Sequence, residues 1–365
     1  MLAFEHTESE NTMSGRIKHP TCYLWDAWSF EEAGSWYLYC LALPRMDANG
    51  APIHPDNRND HRFHIRCFES HDKGCSWTDH GVFQEPGLCG NGADSGNVWS
   101  GDACQIRSGD YWFASTGIRS VDAEHPFVQS LLLGRSADKT RFSGALYSVL
   151  GADTHYDQLI EAGYFLGPKS ALGHCDGESG GSILALRDPF IVPNSDSTDS
   201  YDVVFAAKAQ GGEPAMGHIT VDLSSSEPEL IAIHAPIRLP DAAEFTQFEV
   251  PKVLWDAARS QYWLLGSTAD RVDENQPEED VNRYLRLYSA KTLAGPWLPA
   301  SSEGSAIGGT GTRFGATIVG LQANELVCLA PLTTMDPEGG LYFDHLFKVD
   351  VSAERSDHTL MATVC

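Results

Sequence analysis

Three acidic residues lie in apolar, strand-like segments, where a charged side chain is costly unless it is paired or functional. They are Asp26 in YLWDAWSF, Asp188 in LRDPF and Glu249 in QFEVPKVLW. Hydrolysis of a glycosidic bond needs two carboxyl groups in different protonation states, and a third carboxyl group can hold the sugar ring. Any one of these residues could equally be a structural carboxylate with a cationic partner. Three of them in similar settings predict a catalytic site for glycosides.

A recurring strand pattern places the three carboxylates in equivalent positions. The pattern is a polar turn, then an aromatic residue or Leu, then three or four apolar residues. It occurs as SWYLYCLAL, DYWFAST, YDVVFAAK, QYWLLGST and ELVCLAPL. Each carboxylate precedes one copy by 10 to 13 residues, and the segments Val98–Ala103 (VWSGDA) and Thr312–Thr317 (TRFGAT) precede the other two copies at a similar offset. Each carboxylate is therefore expected on the strand immediately before the recurring one.

The number of copies predicts the architecture. Five units in 365 residues leave room for four strands and their loops in each unit. Weak repetition at intervals of roughly 60 to 90 residues, with several strands per unit, is typical of a propeller. We predict an all-β chain folded as a five-bladed β-propeller; a β-sandwich or jelly roll with coincidental spacing is the alternative. In the propeller, the carboxylates lie on innermost strands and converge on the central channel.

The chain shows no linker that would divide it. We predict one catalytic propeller domain over residues 1–365, of which residues 1–20 form an N-terminal extension. The one helix predicted, Asp153–Ala162, begins at an N-cap Asp and ends directly before Gly163. The polar segment Asp47–Asp60 contains Pro and Gly, and we expect a surface loop there.

The composition argues against several other functional classes. The chain has 25 Lys and Arg residues against 50 Asp and Glu residues, and this net charge of −25 disfavours nucleic acids and anionic membrane surfaces as partners. No apolar run approaches the ~18 residues needed to span a bilayer. The nine cysteines are an odd number without a C-x-x-C pair, which argues against a disulfide framework. The polar, acidic N-terminus lacks the pattern of a secretion signal, so we expect a cytoplasmic protein whose partner is a small carbohydrate.

Tryptophan side chains adjoin the predicted site and offer flat apolar faces for a sugar ring. Trp25 directly precedes Asp26, and Trp99 directly precedes Ser100 in VWSGDA. A Trp in a strand is as often part of the core, so the pattern alone leaves both interpretations open.

An ordered set of segments resembles glycoside hydrolase family 68, the levansucrase and β-fructofuranosidase group, which shares a clan with the invertases of family 32. The segments are LWDAW, VWSGDA, DQLIEAGYFLG followed by LRDP, FEVPKV and YLRLYSAKTLAGPW, and they span residues 23 to about 300 in the order of the family. The resemblance implies a five-bladed propeller that cleaves terminal β-fructofuranosides, such as sucrose or fructooligosaccharides. It also implies retention through a covalent fructosyl-enzyme, with fructosyl transfer as a second activity.

The resemblance implies a role for each carboxylate. Asp26 matches the nucleophile of the family, Asp188 its transition-state stabiliser and Glu249 its general acid and base. Four further residues match positions that line the fructosyl pocket, namely Trp25, Trp99, Ser100 and Arg187. The chemistry agrees, because an ionised Asp26 can attack the anomeric carbon while Asp188, held by Arg187, binds ring hydroxyls as positive charge develops.

The segment around the predicted general acid departs from the family, where an acidic pair and an Arg surround it. Here the segment is Thr246-Gln247-Phe248-Glu249-Val250. Thr246 stands where relatives contribute to a structural calcium site, so we expect no metal and no cofactor. Gln247 is predicted to bind substrate, and with Val250 it changes the region that faces the leaving group or the acceptor. The preference for sucrose and the synthesis of polymers are therefore open.

Two other functions remain as alternatives. The first is an inverting arabinofuranosidase or xylosidase of the family 43 type, which would use a similar carboxylate triad. The second is a non-catalytic sugar-binding propeller. A binding module would keep the tryptophans but would not need three converging carboxylates, so the enzyme is the leading interpretation.

Overall fold

Strands dominate the computed structural model, which describes residues 12–107, 109–175, 184–193, 199–272, 276–277, 280–333, 341–352 and 359–364. They form five antiparallel sheets of four or five strands each, arranged as the five blades of a β-propeller. The predicted fold class and the five-bladed architecture are therefore confirmed. Among the described helices, none is long and apolar enough to cross a membrane.

The blades follow one another along the chain. Blade 1 contains β1 (Thr12–Ser14), β2 (Cys22–Glu32), β3 (Ser35–Pro44), β4 (His64–Ser70) and β5 (Ser76–Gln84), hydrogen-bonded in the order β2-β3-β4-β5-β1. Blade 2 contains β6 (Asn97–Arg107), β7 (Asp110–Arg119), β8 (Val128–Ser136) and β9 (Leu146–Gly151). The helix α1 (Tyr156–Glu161) lies between blades 2 and 3 in the sequence.

The remaining three blades repeat this order of pairing. Blade 3 contains β10 (Leu186–Pro193), β11 (Ser200–Lys208), β12 (Pro214–Asp222) and β13 (Glu229–Ile233), with β14 (Ile237–Arg238) also paired to β12. Blade 4 contains β15 (Gln247–Asp256), β16 (Gln261–Ala269), β17 (Arg283–Ala290) and β18 (Leu298–Pro299). Blade 5 contains β19 (Thr317–Gln322), β20 (Glu325–Leu329), β21 (Phe347–Asp350) and β22 (Ala362–Val364).

One strand of each blade faces the centre of the ring. These strands are β2, β6, β10, β15 and β19, and each contacts the corresponding strand of both neighbouring blades. The five copies of the recurring pattern form β3, β7, β11, β16 and β20, each the next strand outward. Asp26, Asp188 and Glu249 therefore lie on innermost strands, in the strand order that the sequence predicts.

The unbroken apolar runs of the second strands follow from the stacking of the blades. On β3, Tyr39 packs against Phe113 of blade 2, whereas Leu38 and Cys40 belong to a buried cluster with Val327 of blade 5. Successive side chains of a strand point to opposite faces, and both faces of a blade meet a neighbour. Burial of both faces thus explains why the recurring pattern is continuous rather than alternating.

The described part of the predicted N-terminal extension, residues 12–20, belongs to the propeller and begins with an edge strand of blade 1. Thr12–Ser14 pairs with β5, and the backbone of Ile17 exchanges hydrogen bonds of 2.9 and 3.2 Å with Phe343 next to blade 5. Residues 1–11 lie outside the described part of the chain. A strand of three residues is too short to show a periodicity, so the sequence did not reveal it.

The helix is shorter than the predicted range Asp153–Ala162. It begins after an N-cap at His155 and spans Tyr156–Glu161. Asp153 instead forms an ion pair with Arg119 and accepts a hydrogen bond from the N–H of the next residue at 2.9 Å. The carboxylate is thereby drawn into a turn before the helix, since Asp side chains readily bond local backbone donors.

Candidate active site

One cavity of about 670 Å³ contains the residues predicted for the site. All eight of them line it, namely Trp25, Asp26, Trp99, Ser100, Arg187, Asp188, Gln247 and Glu249. They lie on β2, β6, β10 and β15, so the innermost strands of four blades contribute. The cavity brings three carboxylates from three separate blades together, while the chemical roles assigned to them remain predictions.

A β-bulge interrupts each of these four strands at the cavity. The pairing of β2 with β3 skips Asp26, and the pairing of β6 with β7 skips Ser100. In β10 and β15, the register shifts directly after Arg187 and directly after Glu249. A bulge leaves one residue outside the ladder and re-aims its side chain. The bulges therefore allow side chains of an innermost strand to turn into the cavity.

Two of these bulges share a strained backbone conformation. In the sequences RDP and EVP, the residue before the Pro has a positive φ, which is 58° at Asp188 and 51° at Val250. This conformation is unfavourable for any residue with a Cβ atom and most unfavourable for a β-branched Val. The strained Val250 donates its N–H to Asp188 Oδ2 at 3.1 Å. The two bulges thus fix the orientation of the Asp188 carboxyl group.

The carboxyl group of Asp26 is subject to opposing effects. Burial raises its pKa, and the hydroxyl of Ser100, which donates to Asp26 Oδ2 at 2.6 Å, lowers it. The charge of Glu249 raises the pKa further, whereas Lys252 and Arg187 lower it. Burial prevails, so the pKa of Asp26 is above the ordinary value for an Asp. The Ser100 hydroxyl favours the ionised carboxylate through a direct hydrogen bond.

This hydrogen bond leads to a prediction for the pH profile. Ser100→Ala removes a donor that stabilises ionised Asp26, so the pKa of Asp26 rises further. If turnover requires the carboxylate, activity is lost as the pH falls through that pKa, and the acidic limb of a kcat/KM profile moves to higher pH. Ser115→Ala, which removes a buried hydroxyl from the neighbouring strand β7, is the control and leaves the limb in place. An unchanged acidic limb in Ser100→Ala would count against Asp26 as the titrating group.

Arg187 contacts both the predicted general acid, Glu249, and the aromatic ring of Trp99. Its Nη2 donates to Glu249 Oε1 at 2.6 Å. Its guanidinium carbon lies 5.8 Å from the centroid of the Trp99 ring, within the range of a cation–π contact. Arg187 is buried, whereas the side chain of Glu249 keeps 19% of its surface exposed. The carboxyl group of Glu249 is thus held in position while it remains accessible from the cavity.

Asp188 is the most enclosed of the three carboxylates, with 3% of its surface exposed. Burial raises its pKa to about 7, against the charge of Arg187, which lowers it. The Asp188 N–H donates to Thr116 Oγ1 at 2.8 Å, and the same hydroxyl donates to the carbonyl of Ser100 at 3.0 Å. Thr116 on β7 therefore joins the two innermost strands β6 and β10 behind the site. The sequence analysis did not identify it, because a Thr in a strand carries no distinctive signal.

A buried ammonium group compensates the negative charge of the site. Lys252 on β15 is almost fully buried, and its Nζ donates to the carbonyl of Gly101 at 3.2 Å. Burial lowers its pKa below the ordinary value for a Lys, although the charges of Asp102, Asp188 and Asp26 oppose this shift. Burial likewise raises the pKa of Asp102 to about 7. The signal that the sequence analysis overlooked is a Lys within the apolar segment FEVPKVLW.

Gly315 brings backbone from blade 5 against the site. The N–H of Ala27 donates to the Gly315 carbonyl at 2.9 Å, and the Gly315 N–H donates to Ser267 Oγ at 2.9 Å. A Cβ atom at Gly315 would lie 2.2 Å from Asp26 Oδ1, and its φ is 63°. Both the close approach and the left-handed conformation require a glycine here. The segment TRFGAT thus adjoins the site although β19 begins only at Thr317.

The predicted surface segment Asp47–Asp60 is largely exposed, and its second half also forms part of the cavity wall. Pro55–Asp60 is a 3₁₀ helix, and the residues of this segment that line the cavity are His54, Pro55, Asp56, Arg58 and Asn59. Polar side chains that face a water-filled cavity look the same in a sequence as polar side chains that face bulk solvent. The pattern therefore could not separate the two.

Both tryptophans pack against the core and also line the cavity, so each matches both interpretations that the sequence left open. Trp25 packs edge-on against Phe63, with ring centroids 5.3 Å apart and an interplanar angle of 76°. Trp99 packs against Phe127 at 6.1 Å and 33°. Each is only partly buried and lines the cavity with its remaining surface. The aromatic faces are thus held rigidly by the core while they remain available to a ligand.

Comparison with known proteins identifies the fold. No protein-family model matches the sequence, and no curated protein matches it either. A mutant of B. megaterium levansucrase matches with a TM-score of 0.66 at 14% identity, over 100% of this chain and 90% of that chain. Bacillus subtilis levansucrase matches with a TM-score of 0.60 at 15% identity, and a double mutant of it in complex with oligosaccharides with 0.64 at 14%, both over the same shares. The chain therefore has the five-bladed fold of the levansucrases, which confirms the predicted distant resemblance at the level of the fold.

Proposed function

We propose that the protein is a glycoside hydrolase that cleaves terminal β-fructofuranosides with retention, through a covalent fructosyl-enzyme on Asp26. The observation that carries the proposal is the meeting of Asp26, Asp188 and Glu249 from three blades in one cavity with aromatic walls. A sugar-binding module gains nothing from several buried carboxylates, since each costs free energy of desolvation. The similarity of the fold to that of the levansucrases also supports a glycoside-cleaving enzyme.

In the first step, a carboxylate oxygen of Asp26 attacks the anomeric carbon of the fructosyl unit, and the bond to the leaving group breaks. Glu249 donates its proton to the departing glycosidic oxygen, so the leaving group departs as a neutral alcohol. The hydrogen bond from Arg187 Nη2 holds the Glu249 carboxyl group at the cavity surface. Proton donation and nucleophilic attack thus come from two different blades.

Asp188 stabilises the transition state in this scheme. Positive charge develops on the sugar ring as the bond breaks, and a fixed carboxylate that binds ring hydroxyls interacts more strongly with that state than with the substrate. The hydrogen bonds from Val250 and to Thr116 hold Asp188 in place before substrate binds. In the second step, Glu249 accepts a proton from water, the water oxygen attacks the anomeric carbon, and the bond to Asp26 breaks.

A substrate screen with product analysis tests this function. The purified protein is incubated with sucrose, fructooligosaccharides and nitrophenyl furanosides, and the first-formed product is followed by NMR before it mutarotates. We expect fructose to be released as the β-anomer. Release of arabinose or xylose with inverted configuration would favour the family 43 alternative. Binding of sugars without turnover of any of them would favour the non-catalytic propeller.

The leaving-group dependence of one variant tests the role of the general acid. Glu249→Gln keeps the shape of the side chain but has no proton to donate, so we expect kcat to fall by about 10²–10⁴ for sucrose. A nitrophenyl fructoside has a good leaving group that needs little protonation, and its rate of fructosyl-enzyme formation should fall much less. Burst kinetics with both substrates measures this difference. Equal losses for both leaving groups would remove Glu249 from the role of general acid.

A further inference from the structure

One cluster of potential metal ligands on blade 3 takes no part in the cavity. Among the described residues, Asp202, His218 and His234 form a group of three whose ligand atoms all lie within 4.8 Å of one another. None of the three lines the cavity. We propose that this cluster is a binding site for a divalent transition metal ion, with Zn²⁺ as the ion that suits it. The sequence analysis expected no metal because of Thr246 and did not consider these three residues, which lie 16 residues apart and match no short motif.

Adjacent strands bring the ligands to one face of the blade. Asp202 on β11 is paired directly with Thr220 on β12, and His218 lies two residues earlier on β12, on the same face. His234 directly follows β13, and its N–H donates to the His218 carbonyl at 3.0 Å. The hydroxyl of Tyr164 accepts the His218 N–H at 2.9 Å. The backbone therefore fixes the three ligands independently of any ion.

The side chains of the cluster are already joined by hydrogen bonds through Thr220. His218 Nε2 lies 2.9 Å from Asp202 Oδ1, and Thr220 Oγ1 lies 2.9 Å from the same oxygen and 2.8 Å from His234 Nε2. The two imidazole rings stack with centroids 4.2 Å apart at 25°. In tetrahedral zinc sites, bonds of about 2.0–2.2 Å place the ligand atoms about 3.3 Å apart. The stacked rings would have to rotate so that a nitrogen of each points at the ion, and water or the Thr220 hydroxyl would supply the fourth ligand.

The donor set selects the class of ion. Two imidazoles with one carboxylate suit zinc and similar first-row metals, whereas Ca²⁺ requires about 6–8 oxygen ligands. The side chains of His218 and Asp202 keep 11% and 16% of their surface exposed, so an ion can enter.

The position of the cluster indicates a structural role. Asp202 on β11 pairs with Thr220 of β12 on one side and with Val192 of β10 on the other, and Val192 lies four residues along β10 from Asp188. Four residues of a strand correspond to about 13 Å, so the ion would not touch the cavity. It would instead tie β11, β12 and the segment after β13 together. We therefore expect metal binding to raise the melting temperature without changing kcat.

Metal titration of the purified full-length chain tests the site. After treatment with EDTA and its removal, isothermal titration calorimetry with Zn²⁺ should show one tight site per chain. The affinity should increase between about pH 6 and pH 8, because the ligands must lose protons on binding. Zn²⁺ should raise the melting temperature, and Ca²⁺ should not. Absence of stoichiometric Zn²⁺ binding would overturn the proposal.

Variants separate this site from the cysteines of the chain, which also bind zinc when exposed. His234→Ala and Asp202→Asn should each lose the tight site, and circular dichroism checks that both remain folded. His174→Ala is the matched control, since His174 also packs against another imidazole, that of His125, at 5.2 Å. It should retain the site. Equal zinc binding in all variants, or an intense thiolate-to-metal charge-transfer band with Co²⁺, would assign the binding to cysteines and overturn the proposal.

Discussion

Asp26→Asn is expected to abolish turnover while the fold stays intact. A neutral amide cannot form the ester bond of a fructosyl-enzyme, so kcat should fall by at least about 10⁴-fold, the loss typical of removing a nucleophile. In contrast to the activity, the stability of the folded state should not decrease in this variant. Burial raises the pKa of Asp26, which means that ionisation of this group at neutral pH lowers the stability of the folded state. The sign follows from linkage: stability contributed by a carboxyl group with a raised pKa is lost as the pH rises through that pKa.

We therefore expect the melting temperature of Asp26→Asn to equal or exceed that of the wild type at pH 7. The Ser100 hydroxyl can still donate to the amide oxygen in this variant. The matched control is Asp256→Asn on the same kind of innermost strand, where Asp256 is buried but bonds Arg259 and Trp263. There, hydrogen bonds lower the pKa of the carboxyl group, so the control should lose stability and keep its activity. Near-normal activity of Asp26→Asn would refute the assigned role.

Gly315→Ala is expected to impair activity although Gly315 carries no functional group. The new methyl carbon would lie 2.2 Å from Asp26 Oδ1 and 2.9 Å from Asp26 Cα, so either the carboxylate or the backbone of blade 5 must move. A displacement of about 1 Å at a reacting group can reduce the rate about 10²-fold. We expect a loss of that size in kcat, with a lower melting temperature, measured on the same substrate as the wild type.

The control for Gly315→Ala separates backbone strain from the clash. Gly311 has nearly the same φ, 60° against 63°, but a Cβ atom there would meet nothing within 4 Å. Gly311→Ala therefore carries the left-handed conformation penalty of about 1–2 kcal/mol without disturbing Asp26. It should lose some stability and keep its activity. Similar activity in the two variants would show that the approach of Gly315 to Asp26 does not position the carboxylate.

The candidate site depends on irregular backbone within a regular ring. Four of the innermost strands have their bulge at the cavity, and two of these include a residue with positive φ before a Pro. Such conformations persist only where the surrounding structure enforces them. Here the second strands and the neighbouring blades supply that support, through contacts such as the hydrogen bond from Val250 to Asp188. Contacts with the second strand β7 and between neighbouring blades thus hold the strained inner strands in place.

Some features of this protein were readable from the sequence because they repeat or because they break a pattern. Burial of both faces of a blade makes each second strand a continuous apolar run, so five runs predicted five blades. A carboxylate within an apolar strand is costly and therefore conspicuous, which singled out Asp26, Asp188 and Glu249. Their common offset from the runs placed them on innermost strands. The order of the segments gave the resemblance to the levansucrase group.

Other features were decided only by the tertiary structure, because they depend on residues that are distant in sequence and leave no local pattern. The approach of Gly315 to Asp26 joins blade 5 to blade 1, and Thr116 links β6 to β10. The proposed metal ligands meet only because three strands of blade 3 are paired in one register, and the edge strand Thr12–Ser14 gains its place only by pairing with β5. Periodicity reports which face of a strand is buried, whereas the identity of the partner across that face is fixed by the closure of the ring.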